Sequence, residues 1–269
     1  MTFVCVSCTP HMAFDRKREK GNAAHSMLIR ARKVERSYDR QLRKIARYIG
    51  DVVSGLYDPT KPFDTARIID VLTAYAGTLH DWAVSVASRM LAEVDFRTSD
   101  KKAWMDMSRR IGQGIRDEID NTPVGAIMRE RLDEQTKLIK SLPTEAAERV
   151  RQITLQGISG SKRADVVAKE IMASGQVSKS RAMLIARTEV SRTATELTRA
   201  RAEAIGSTEF IWRTVGDSDV RHDHRVLNGK TFRWDSPPVA DQRAGIRALP
   251  GAIWNCRCIP EVIVPDFDR

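Results

Sequence analysis

Ile211-Trp212-Arg213-Thr214-Val215-Gly216-Asp217-Ser218-Asp219-Val220-Arg221-His222-Asp223-His224-Arg225-Val226-Leu227-Asn228-Gly229-Lys230 and, after a polar loop, Pro250-Gly251-Ala252-Ile253-Trp254-Asn255-Cys256-Arg257-Cys258-Ile259-Pro260 depart from the helical spacing of the rest of the chain. Two His, two Cys and three of the five Trp fall between residues 212 and 260. Phe210 to Val215 alternates as a strand does, and Gly216-Asp217-Ser218-Asp219 reads as a turn. Asn228-Gly229, between Val226-Leu227 and Thr231-Phe232-Arg233-Trp234, predicts a hairpin, since both residues tolerate positive φ. Ser236 to Arg247 reads as a surface loop and Glu261 to Val264 as a last strand. This stretch therefore predicts a small antiparallel sheet.

Alternation on a strand puts His222 and His224 on one face, and Cys256 and Cys258 likewise. Three chemistries compete for these four residues. Two thiolates and one or two imidazoles would close a structural zinc site, which a sheet too thin to build its own core would need. A metal-dependent nuclease would use His222, Asp223 or His224 to activate water, though no separate acidic cluster accompanies them. The third reading is packing alone, with the cysteines as small apolar residues and Trp212, Trp234 and Trp254 as core.

Upstream of Gly206 the spacing is that of helices. Met27, Ala31, Val34, Tyr38, Leu42, Ile45, Ile49, Val52 and Leu56 step by three or four, predicting one amphipathic helix over Ser26–Leu56. Its other face carries Arg30, Arg32, Lys33, Arg36, Arg40, Arg43, Lys44 and Arg47, a basic rod suited to DNA or an acidic protein partner if it is more than a solvated face. A second helix is expected over Asp64–Val94, folded back on the first as an antiparallel hairpin. A third follows from Ser99 or Asp100 to about Asn121, a fourth over Val124–Leu142, and a short one from Pro143 to Gly157 capped by Thr144. Lys162 to Ala173 makes another, ended by Ser174-Gly175. The last starts at Ser178 or Ser180, and its narrow stripe of small residues predicts close packing. On it Glu189 and Arg192, three apart, form an ion pair, and Glu189 is expected to tether the helix to the C-terminal module through Arg192 or Arg221. The fold class is thus mainly α with a small α+β C-terminal module: a tail over 1–25, a helical domain over 26–142 and a last domain over 143–269.

The net charge of +10, mostly arginine, favours a polyanionic partner or an acidic protein surface. Cys5 and Cys8, like Cys256 and Cys258, are spaced unlike a disulfide staple, which suits a reducing compartment. With His11, Cys5 and Cys8 make a weaker candidate metal group. There is no apolar run of membrane-spanning length and no secretory signal pattern, so a cytosolic start is expected.

Arg187-Thr188-Glu189, then Trp212, Asp219 and Arg221 with His224 and Gly229, then Pro250 and Asn255-Cys256-Arg257-Cys258 resemble, in that order, the phage head morphogenesis domain of the bacteriophage Mu protein F-like minor head proteins. The resemblance covers roughly Leu155 to Pro260. The family usually carries a His two residues before its Asn-Cys-Arg-Cys. Here Ile253 and Trp254 fill that region, and His222 would have to replace that ligand. The resemblance implies a non-enzymatic minor capsid protein of the virion, in the head interior or at the portal vertex and in the host cytoplasm during assembly. Its implied partners are the portal, capsid or scaffold proteins and, in some members, double-stranded DNA. The alternative is a metal-dependent DNA-processing enzyme or toxin built on the His/Cys cluster.

Overall fold

A computed structural model of the chain describes residues 9–98, 123–160 and 162–265, with side-chain surroundings over 29–95, 124–160 and 162–265. The expected helix over 99–121, Cys5, Cys8 and the side chain of His11 lie outside them. The described residues form α1 (Thr9–Leu56), α2 (Ala66–Thr78), α3 (His80–Thr98), α4 (Pro123–Ser159), α5 (Ala164–Met172), α6 (Ser174–Ala204), β1 (Glu209–Arg213), α7 (His222–Leu227), β2 (Thr231–Arg233), β3 (Val239–Asp241), β4 (Ile246–Arg247) and β5 (Ile259–Val262). The protein is mainly α with a small C-terminal antiparallel sheet, as its spacing predicts.

α1 ends at Leu56 as expected but begins at Thr9, inside the stretch assigned to a tail. Val34, Tyr38, Leu42, Ile45, Ile49 and Val52 are buried, so the periodic face is the packed one. The expected second helix divides at Leu79, a single residue that keeps right-handed helical dihedrals between α2 and α3. α4 runs unbroken through Pro143, where two helices were expected. Proline removes one helical N–H, but Ile139, Leu142, Ala146, Ala147 and Val150 on both sides are buried in the same core and hold the axis together. Thr144 is no cap, because its hydroxyl donates back to the Lys140 carbonyl at 3.1 Å. The Ser174-Gly175 pair opens α6 instead of closing α5, since Ala173 between them stays helical (φ −70°, ψ −9°).

The principal neighbour of α1 is α6, not the helix that follows it. Gly175 lies against Gly50 and Arg187 against Glu35, so the two helices run antiparallel. A Cβ built on Gly175 would stand 2.7 Å from the Gly50 Cα, an approach that only small residues permit. One apolar core draws on α1 to α6 across the expected 142/143 boundary, from Val34 to Leu197. A second, smaller core joins Ala202 to Phe210, Trp212, Leu227, Trp234, Ala240, Leu249, Cys256 and Cys258.

β1 is the centre of a three-stranded sheet ordered β2-β1-β5, with Phe210 opposite Phe232 and Val262 and Trp212 opposite Pro260. The expected surface loop over Ser236–Arg247 contains a two-stranded ribbon of β3 and β4. The expected Asn-Gly hairpin is a different structure. Val226 and Leu227 close helix α7, Gly229 (φ 81°) turns the chain, and its N–H reaches the Trp212 carbonyl at 2.8 Å.

Candidate functional site

The site is built where α6 meets the loop before β5. Four α6 side chains grip that loop. Thr195 donates to the Pro250 carbonyl at 2.6 Å, Arg192 to the Ala252 carbonyl at 3.1 Å, and Arg187 to Asn255 Oδ1 at 2.9 Å, while Thr188 accepts the Asn255 N–H at 3.0 Å. Thr188, Arg192 and Thr195 follow helical spacing along one side of α6. Gly251 fits beneath because it has no Cβ: one would meet the Cys258 carbonyl and Thr195 Oγ1 at 3.0 Å, and its φ of 81° also suits glycine. Asn255 stands at φ 63°, the left-handed region that asparagine enters more readily than most residues. These contacts turn the chain so that Cys256 and Cys258 both enter the small core.

There they meet His224. Its Nδ1 lies 3.5 Å from Cys256 Sγ and 3.6 Å from Cys258 Sγ. Its Nε2 lies 3.1 Å from the Ala240 carbonyl, which can only accept, so Nε2 carries the hydrogen and Nδ1 faces the sulfurs. Trp212 packs edge-on against the imidazole at 5.3 Å between ring centres. The Cys258 N–H points at Cys256 Sγ at 3.4 Å. The neighbouring Cys258 thiol and then His224 draw the Cys256 thiol well below its ordinary value against the effect of burial. The Cys258 thiol, beside the Cys256 sulfur and buried, is pushed up. Two soft thiol ligands and one imidazole of fixed tautomer are the donor set of a zinc-type site.

His222 is not part of it. The expectation that His222 and His224 share a face assumed a strand, but both lie on α7, where residues two apart point to nearly opposite sides. His224 is buried and His222 exposed. Trp254 also departs from its expected place in the core: it is 48% exposed, with the guanidiniums of Arg181 and Arg192 each 5.8 Å from its ring centre.

A cavity of about 150 Å³ opens beside the cluster, lined by Arg187, Asp219, Arg221, Asn255 and Arg257 with His224, Cys256 and Cys258. Arg221 donates to the Trp254 carbonyl at 2.8 Å, and so does not serve Glu189. Arg257 pairs with Asp217 at 2.8 Å and Asp219 at 3.3 Å, and Asp217 also meets Arg32 of α1 at 3.4 Å. Asp217, Thr195 and Gly251 are the structural participants that motif reading missed. Asp217 looked like an ordinary turn residue, and the other two have no signal outside their three-dimensional setting.

Glu189 lies deeper, 1% exposed, in the helical core. Gln135 Nε2 donates to it at 2.8 Å, Tyr38 OH donates to Gln135 Oε1 at 3.0 Å, and Arg192 and Arg131 stand 3.4 and 3.7 Å from its oxygens. The expected pair with Arg192 is present. Arg192, paired with Glu189, carries that contact on to the module through the Ala252 carbonyl, beside the other three α6 side chains that hold the loop.

The motif residues that lie far apart in the chain thus converge: Arg187 and Thr188 on Asn255, Trp212 on His224, and Asp219 on Arg257. Residues 148–260 match the phage Mu protein F-like family. This Mu F-like region begins within α4 and includes the whole His224, Cys256 and Cys258 cluster. Over 124 residues the chain is 32% identical to an uncharacterized protein of Haemophilus influenzae, an overlap of 46% of this chain and 26% of that protein. The chain thus matches about a quarter of that relative's length. No solved structure matches the chain.

The basic residues of α1 lie outside the Mu F-like region and separate into two groups. Lys33, Arg36, Arg40, Lys44 and Arg47 are exposed and, at steps of three and four, form one stripe on the order of 21 Å long. Arg32 turns to Asp217, and Arg43 is 2.8 Å from Asp39. Arg30 is half-buried. Among the described residues, no helix is long and apolar enough to cross a membrane.

Proposed function

We propose that the protein is a non-enzymatic minor capsid (head morphogenesis) protein of a tailed phage or prophage. In this reading it joins the portal and the capsid or scaffold proteins inside the procapsid and contacts double-stranded DNA. The observation that carries the proposal is the family match over residues 148–260, which takes in the α6 grip and the loop it holds. The exposed cationic stripe of α1 supports a polyanionic or acidic partner, because its charges are free to exchange counterions with phosphate or carboxylate. The reading places the protein in the virion, at the head interior or portal vertex, after assembly in the host cytoplasm.

Co-expression of the full chain with the portal protein encoded in the same phage genome tests this. A stable complex on affinity and size-exclusion chromatography, with particle yield falling when the chain is deleted, is the expected result. Normal filled heads without it would end the proposal. The rival reading, a DNA-processing enzyme or toxin, has the arginine-rimmed cavity beside the cluster in its favour. It predicts metal-dependent loss of DNA that His224→Ala abolishes.

A further inference from the structure

We propose that His224 Nδ1, Cys256 Sγ and Cys258 Sγ bind one zinc ion whose fourth position opens into the arginine-rimmed cavity. The three ligand atoms lie within 4.8 Å of one another, all on buried residues, and no other such group of three is found among the described residues. Their spacing fits a tetrahedral ion. With metal–sulfur near 2.3 Å and metal–nitrogen near 2.0–2.1 Å, the tetrahedral angle separates sulfur from nitrogen by about 3.6 Å. The two observed separations are 3.5 and 3.6 Å.

The surroundings complete the case. The Ala240 carbonyl holds the far ring nitrogen, the outer-shell contact that orients a ligating imidazole. The Cys258 N–H is directed at Cys256 Sγ, where it would stabilise a thiolate. Two thiolates and a neutral imidazole cancel the charge of a divalent zinc, so the filled site adds no net charge to a buried core. The cavity of about 150 Å³ has room for a water molecule as fourth ligand. The small core has use for such a site, since its sheet consists of strands Glu209–Arg213, Thr231–Arg233 and Ile259–Val262 alone. This inference stands apart from the proposed role in the phage head.

The test uses the full chain with Cys5 and Cys8 changed to Ser, so that stoichiometry reports this site. After dialysis against zinc and then metal-free buffer, elemental analysis should find one zinc per chain. Cobalt in its place should give the intense visible bands of a tetrahedral ion together with sulfur-to-cobalt charge transfer. Cys256→Ser and Cys258→Ser should each abolish both signals, whereas His222→Ala should keep them. A chain that is folded by circular dichroism yet takes up neither metal would leave only an S–H···N hydrogen bond, and the proposal would be wrong. Retention of zinc in both serine variants would place the metal elsewhere and also overturn it. If the serine variants fail to fold, the cobalt spectrum of the parent chain decides, because sulfur charge transfer requires thiolate ligation and Cys256 and Cys258 are then its remaining cysteines.

Discussion

Replacing Glu189 by Gln removes one negative charge while keeping the shape of the side chain. The carboxylate is 1% exposed, and two guanidiniums stand 3.4 and 3.7 Å from it. The Gln135 contact can survive, because an amide oxygen still accepts. What is lost is the charge facing Arg131 and Arg192. Arg131 keeps Glu196 at 2.5 Å and Glu134 at 2.7 Å, and Arg192 is 26% exposed and keeps the Ala252 carbonyl, so neither cation is stranded completely. The cost should therefore fall between the loss of a charged hydrogen bond and the full loss of a buried ion partner, about 2–4 kcal/mol. Thermal unfolding should show it as a drop of about 4–16 °C. The exchanged pair Gln135→Glu with Glu189→Gln keeps one carboxylate in the network, still able to accept from Tyr38, and should recover most of the loss. A single variant within about 0.5 kcal/mol of the parent would refute the reasoning, because a change that small belongs to a solvated surface pair.

Gly251→Ala must place a methyl 3.0 Å from the Cys258 carbonyl at a φ of 81° and should cost about 2–4 kcal/mol in urea unfolding. Arg187→Ala loses contacts to Glu35 and Asn255, but its side chain is 32% exposed, so the stability change should stay near 1 kcal/mol. Hydrogen exchange over residues 250–258 should nevertheless quicken. Reversing Arg36, Arg40, Lys44 and Arg47 to Glu should weaken DNA or partner binding and flatten its salt dependence while circular dichroism stays unchanged. Binding that ignores both salt and these changes would remove the stripe from the interface.

The helical half was legible because its signal is long. The buried positions of α1 extend over several turns, enough to separate helical from strand spacing and to end the helix at Leu56. β1 and the shared direction of Cys256 and Cys258 were legible from alternation. The His222 to His224 spacing was not, since two residues are too few to fix a period. Asp223 in the first turn of α7 favours a helix there, and its carboxylate accepts the Gln242 N–H at 3.0 Å. The α1–α6 pairing was hidden for another reason. Gly50 and Gly175 each look like a weakness in a helix, and become intelligible only as two halves of one contact. The asparagine of Asn255-Cys256 was visible as a motif, but its cause, a left-handed turn clasped by Thr188 and Arg187, needed the structure.

The crossing of Gly50 and Gly175 keys one helix axially to the other. Were α1 to slide along α6 by a turn, Ala46 or Ser54 would come to Gly175 in place of Gly50, and its Cβ would have to be accommodated where two backbones now approach closely. The close Gly50–Gly175 approach therefore favours this one register of α1 on α6. That register sets the offset between the cationic stripe and the loop that α6 grips. A load on the stripe would pass through this crossing into α6 and so toward the Asn255 turn.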